Sequence, residues 1–346
     1  MSSRIDLRAG LSRAFLRLIL VGLSSAAAGC ALLPPATTPG EAINLAVDGE
    51  IAYVAMGGAG LGVFDPATRQ LQTLPPPAGS ESVDDVSLGD GLLFALDARA
   101  PGHLTVLSLA DPRHPTVVAA PVVVPVGPFS GVSAAHGRVI VSGGTSEMTI
   151  RTYDSKGALG AEVTSLDLGR GQPDVLLAPD GEHAFVSTHF SLLRATFGLT
   201  VVRLGAALHD AAPVAQVPLD DAGFTTGAAR PANFALTSAL RGTNLFVASG
   251  GGLSSFDVGD PAHPRLLARL PLPVRAVHID VHGTTAAIVG SSPAPTLVLV
   301  DVGRPDAPII ERTVPLPEQS RPTSVALTGT RALVAAGAAG VVVVER

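Results

Sequence analysis

His278, Asp280 and His282 stand at alternate positions of the run AVHIDVH, Ala276 to His282. On an extended strand, residues i, i+2 and i+4 share one face. Two imidazoles and a carboxylate on a face are reasonable zinc or manganese ligands. Their spacing works against one shared ion, because residues two apart on a strand lie about 6.5–7 Å apart while ligands must reach a metal at about 2 Å. The trio is therefore a weak metal candidate beside a hydrogen-bonded structural role, and no cofactor is expected.

A second pattern is positional. Arg170, Arg230, Arg275 and Arg321 each stand just ahead of an apolar run. Guanidinium groups pair bidentately with carboxylates, so an arc of them would receive an anionic group or an acidic partner. The competing role is capping turns by bonding neighbouring carbonyls. The corresponding stretch nearer the N-terminus carries Glu81, Asp84 and Asp85, which predicts a rim split in sign. A long insertion, Thr188 to Gly198, adds His189, Phe190, Arg194 and Phe197 in a chain with 11 Phe, two Tyr and no Trp. Aromatic residues with Arg are favoured at protein interfaces, and a lid over a channel is the alternative for this segment.

No nucleophile elbow, P-loop, metalloprotease helix or paired cysteines occur, and no catalytic residue is assigned. The fragments Gly57 to Gly60 and Gly250 to Gly252 lack the following helix that a phosphate loop requires.

The elements that must position these side chains repeat. SSFDVGDPAHPRLLARLPLP, Ser254 to Pro273, is followed by LVLVDVGRPDAPIIERTVPLP, Leu297 to Pro317. Each unit contains three runs of Val, Ile, Leu and Ala bounded by Gly, Pro or Asp, then a shorter polar run, and such runs are strands. The residue closing each third run is Asp65, Ser108, Asp154, Arg203, Asp257, Asp301 or Glu345, at intervals of 43, 46, 49, 54, 44 and 44 residues. Gly49, Gly89, Gly137, Gly181, Gly242, Gly283 and Gly329 mark the turn between first and second runs. Repeats of about 45 residues with four strands each define blades. The expected fold is all-β, a seven-bladed β-propeller over residues 44–346. The 38 Gly and 29 Pro leave no room for long helices. The last unit stops after its third run, so either Ala31 to Pro35 closes the ring or the last blade has three strands.

The phrase D-V-x-D-P-x-x-P, carried by Asp257, Val258, Asp260, Pro261 and Pro264, resembles the LVIVD repeat family of bacterial exported β-propellers. Looser copies are Asp301, Val302, Pro305 and Pro308, and Ser108, Asp111, Pro112 and Pro115. The run VDGEIAYVA, Val47 to Ala55, is similar to the strand pair that precedes the phrase in that family. The resemblance implies fold and export. It implies no shared catalytic set.

Residues 1–29 read as an export signal, with Arg4, Arg8, Arg13 and Arg17, an apolar stretch from Leu18 to Leu23, then small residues before Cys30. Cys30, the sole cysteine, resembles the acceptor of a bacterial lipobox. Residues 30–43 would then form a lipidated anchor with a short linker or closing strand. Ala31 in place of Asp at the following position favours the outer membrane. Losing residues 1–29 removes four Arg and one Asp and takes the net charge from −6 to −9. A chain this acidic has no general attraction for nucleic acid.

Two functions are compatible with these features. The first is a lipid-anchored, non-catalytic binding module of the cell envelope, presenting its channel rim to another envelope protein or an extracellular polymer. The second is a metal-dependent, lactonase-like propeller hydrolase with its site at the channel mouth.

Overall fold

The computed structural model describes residues 32–126, 130–143, 147–167, 174–189, 197–204, 211–219, 236–250 and 252–346. Cys30, Arg170, Phe190, Arg194 and Arg230 lie outside these residues.

The described strands form seven antiparallel sheets in chain order around a ring. Blade 1 pairs Asn44–Asp48, Ile51–Ala55, Leu61–Asp65 and Gln70–Leu74. Blade 2 pairs Asp85–Gly89, Leu92–Asp97, Gly102–Ser108 and Thr116–Val117, and Val122–Val124 returns to the third strand. Blade 3 pairs Gly131–Ala135, Arg138–Ser142, Glu147–Tyr153 and Leu159–Asp167. Blade 4 pairs Asp174–Leu177, His183–His189, Phe197–Arg203 and Ala212–Pro218. Blade 5 pairs Leu236–Arg241, Asn244–Ser249, Gly252–Asp257 and Arg265–Pro271. Blade 6 pairs Ala276–His282, Thr285–Gly290, Thr296–Asp301 and Ile309–Pro315. Blade 7 has three strands, Ser324–Leu327, Arg331–Ala335 and Val341–Glu345. The chain is a seven-bladed β-propeller.

Burial explains why the apolar runs are continuous instead of alternating. Along the second strand of blade 1, Tyr53 and Ala55 pack on Leu93 and Ala95 of blade 2. The intervening Ala52 and Val54 pack on Leu333 and Ala335 of blade 7. Opposite faces of one strand thus enter two different cores, and seven such cores close the ring.

The repeated phrase builds the turn after the third strand of blades 2, 5 and 6. Asp257 Oδ1 accepts the Gly259 N–H at 3.0 Å and Asp301 Oδ1 the Gly303 N–H at 2.7 Å. Ser108 does the same with its hydroxyl, which accepts the Ala110 N–H at 3.2 Å. Val258 and Val302 follow as buried anchors. The proline carbonyls reach across blades, since Pro112 accepts the Tyr53 hydroxyl at 2.9 Å and Pro305 the Ser255 hydroxyl at 2.5 Å.

One turn marker is displaced. Gly89 ends the first strand of blade 2, and the hairpin turn is Asp90-Gly91, with φ of 52° and 78°. Positive φ at both central residues is the hairpin geometry that Asp-Gly favours. Gly89 is required for a different reason, because a Cβ there would meet the Tyr153 hydroxyl at 2.6 Å.

The N-terminal segment lies along the outer edge of blade 7. Leu32 bridges Val344, Ala36 bridges Val341, and the Leu33 N–H donates to the Val343 carbonyl at 3.1 Å. Ala42 then exchanges backbone bonds with Gly337 in both directions at 3.0 Å before the first strand of blade 1 begins. The ladder of blade 7 stays three-stranded, and residues 32–36 cover its edge through isolated bridges.

Candidate functional site

The first strand of every blade is innermost, and its inner edge has no strand beside it. Its channel-facing N–H groups must find other acceptors. Asn44, Asp85, Gly131, Asp174, Thr237, His278 and Ser324 occupy matching places, opposite Ala55, Leu96, Ser142, Ser187, Ala248, Val289 and Ala335 of the second strands. From these places the side chains reach to the next blade. Asp85 Oδ2 accepts the Val132 N–H at 2.7 Å, Asp174 Oδ2 the Ser238 N–H at 2.7 Å, and His278 Nδ1 the Val325 N–H at 3.3 Å. The Ser324 hydroxyl donates to Asn44 Oδ1 at 2.8 Å, and the Asn44 amide donates to Asp85. One level deeper, Ser87 accepts the Ala134 N–H at 3.1 Å and Asp280 the Leu327 N–H at 2.7 Å. Gly131 has no side chain to offer blade 4, and Thr237 makes no such bond to blade 6 among the described residues.

Asn44, Asp85, Gly131, Asp174, His278 and Asp280 wall a cavity of about 320 Å³ formed by the first strands of blades 1 to 6. Burial pushes the Asp85 carboxyl up to about 7, against the pull of the Val132 and Val86 N–H groups and the Asn44 amide. Burial likewise pushes Asp174 up to about 6 and raises Asp280. His278 is pulled down to about 4 by the same desolvation. Its Nδ1 accepts an N–H, which only a ring with no proton on that nitrogen can do. The channel thus holds carboxyls that exchange protons near neutrality beside an uncharged imidazole.

His278 and Asp280 therefore line the channel, while His282 is exposed at the strand's end. Among the described residues no three His, Cys, Asp or Glu side chains are placed to hold a metal ion together. Arg275 and Arg321 are exposed at the face where the first strands begin, three residues ahead of His278 and Ser324. Glu41, three residues ahead of Asn44, and Glu81 are exposed on the same face. Asp85, expected on that rim, is instead inside the channel, because the strand starts there and its carboxyl turns to the Val132 amide. Asp84 is half-buried and accepts the Ala98 N–H at 2.9 Å. His189 ends the second strand of blade 4 and pairs in register with Phe197. The loop between them carries the other insertion residues and lies outside the described residues.

The inner ring of Asn44, Asp85, Asp174 and Ser324 was not apparent from sequence. Its one signal is a polar residue at the first position of an otherwise apolar run.

The fold and channel define a β-propeller whose polar interior links blade to blade. Residues 39–65, the entry and first three strands of blade 1, match the LVIVD repeat. No curated protein matches the chain. Solved structures resemble it at low identity. A protein from Lactobacillus plantarum shares 16% identity with a TM-score of 0.58, covering 80% of this chain and 86% of that one. A functionally unknown protein from Desulfotomaculum acetoxidans shares 12% with a TM-score of 0.60 over 80% and 86%. The β-propeller domain of Cps50 (Swd1) from Myceliophteria thermophila shares 10% with a TM-score of 0.66 over 92% and 99%. Identities this low carry the fold alone.

Proposed function

We propose that this propeller is a non-catalytic binding module of the cell envelope, held on the outer membrane by a lipid on Cys30, that receives an acidic partner at its channel mouth. The partner is another envelope protein or an extracellular polymer bearing carboxylates. One observation carries this reading: Arg275 and Arg321 are exposed at matching places on neighbouring blades, over a channel whose carboxylates are already engaged by backbone amides. Guanidinium groups so placed suit bidentate carboxylate recognition. Arg170, Arg230, His189, Phe190 and Arg194 are further candidates in this reading by their sequence positions.

Crosslinking in intact cells tests it, comparing the parent with an Arg275→Ser, Arg321→Ser double variant whose folding is checked by circular dichroism. A species captured by the parent and lost from the folded variant supports the mouth as the binding face. Equal capture by both removes the arginines from the reading.

The hydrolase reading is favoured by the cavity itself, where burial raises Asp85 to about 7 and Asp174 to about 6, values suited to an acid and a base. Stoichiometric metal, or turnover of an ester or lactone panel abolished by Asp174→Asn, would put it first.

A further inference from the structure

We propose that the propeller sits on its membrane by the outer corner of blade 7, with the channel mouth turned away from the lipid surface. This rests on the lipid-anchor reading above.

Chain length limits where the lipid can enter. Leu32 already bridges Val344, so only Ala31 separates the closing segment from Cys30. Two residue steps of extended chain span at most about 7 Å. Acyl chains on Cys30 must therefore enter the bilayer beside blade 7. No linker remains to swing the domain, because the residues that would form one are bonded along the edge at Leu32, Leu33, Ala36 and Ala42.

The direction of that segment selects the face. The third strand of blade 7 runs from the Gly340 turn at the mouth face to Glu345 at the opposite face, where the D-V-x-D-P turns lie. Leu32 pairs near the Glu345 end and Ala36 near the Gly340 end. The chain thus departs toward Cys30 at the face opposite Arg275 and Arg321. Two aliphatic side chains are exposed at this end of adjacent outer edges, Leu32 at 42% and Ile309, which begins the outer strand of blade 6, at 63%. Exposed aliphatics beside a lipid attachment suit an interfacial surface.

The chain has no Trp, so a single introduced one reports its own position. Thr330→Trp places an indole in the exposed turn of blade 7 on the lipid-facing side, and Gln319→Trp places one at the mouth of the same blade. Each variant is extracted from the envelope of an expressing bacterium in detergent, its N-terminal mass is measured, and it is reconstituted into vesicles containing brominated lipid. The expected result is several-fold stronger quenching in the Thr330→Trp variant than in the Gln319→Trp variant. Equal quenching, or stronger quenching at the mouth, overturns the orientation. A mass without acyl chains overturns the anchor reading instead. Mature protein coupled through its one cysteine to a maleimide lipid then still decides whether this attachment point imposes the orientation.

Discussion

Asp174 of blade 4 accepts both the backbone N–H of Ser238, at 2.7 Å, and its hydroxyl, at 3.1 Å. One carboxylate thereby fastens the innermost strand of blade 5. Replacing Asp174 with Ala leaves two donors facing the channel without that acceptor. An unsatisfied buried group costs about 1–3 kcal/mol, so Asp174→Ala is expected to lower stability by that amount in urea unfolding. Ser238→Ala, which keeps the backbone bond, should cost less. Equal losses would show that the backbone bond contributes nothing.

The channel carboxyls also set a pH dependence. Asp85 keeps its proton to about 7 and Asp174 to about 6, against an ordinary 3.8, so folding takes up protons above pH 3.8 and stability falls as pH rises toward 7. Asp280 is shifted in the same direction. His278 acts oppositely. Its folded value of about 4 lies below the ordinary 6.5, so it raises stability with pH between those two values. Above pH 6.5 the imidazole contribution is complete and Asp85 dominates. The urea midpoint of the parent should decline as pH rises from 6.5 through about 7, and Asp85→Asn should flatten that decline. A variant with the parent's slope would remove Asp85 as its source.

Blades 1 and 2 are joined by the Asp65–Arg113 ion pair at 2.8 Å, with Arg113 largely exposed and Asp65 buried. Burial alone would raise the Asp65 carboxyl; Arg113 and the Thr68 and Ala67 N–H groups outweigh it and hold it low. Arg113→Ala should cost about 1 kcal/mol or less, as exposed pairs do. Asp65→Ala also frees the turn amides and should cost more. Its contribution is present above the ordinary carboxylate value and lost on acidification. A thermal-melt comparison in which Arg113→Ala is the worse variant would contradict this assignment.

How legible these residues were depends on the distance to their partners. Asp65, Asp257 and Asp301 could be picked out because each closes a turn within two or three residues of itself, a pattern repeated along the chain. Blade number and strand order followed from that repetition. Asp85 and Asp174 could not be assigned, because their partners lie 47 and 64 residues away on another blade. Only the packed ring sets that register. Gly89 shows the same limit at short range. Its spacing matched the turn glycines, yet its role is to admit Tyr153 and the Ala134 carbonyl of blade 3.

The closing segment gives a further test. Gly340 has φ of 79°, and a Cβ there would lie 2.1 Å from the Ala36 carbonyl oxygen. Gly340→Ala must therefore displace the N-terminal segment or strain the turn, at a cost of roughly 1–3 kcal/mol. It should also uncover the edge of blade 7, which presents unpaired backbone groups to other chains. Size-exclusion chromatography is expected to show self-association of this variant at concentrations where the parent stays unassociated. A variant with unchanged elution and melting temperature would show that residues 32–36 add nothing to closure.

The seven blade junctions are not equally fastened at the axis. Side-chain clasps run without a break from blade 6 through 7, 1 and 2 to blade 3, and again from blade 4 to blade 5. Among the described residues, Gly131 and Thr237 supply no such clasp. At the junction of blades 5 and 6 the Ser255 hydroxyl and the Arg241 guanidinium instead donate to the Pro305 and Gly283 carbonyls. Fastening there thus moves from the channel wall to the turns between strands, and the junction holds without a clasp at the axis.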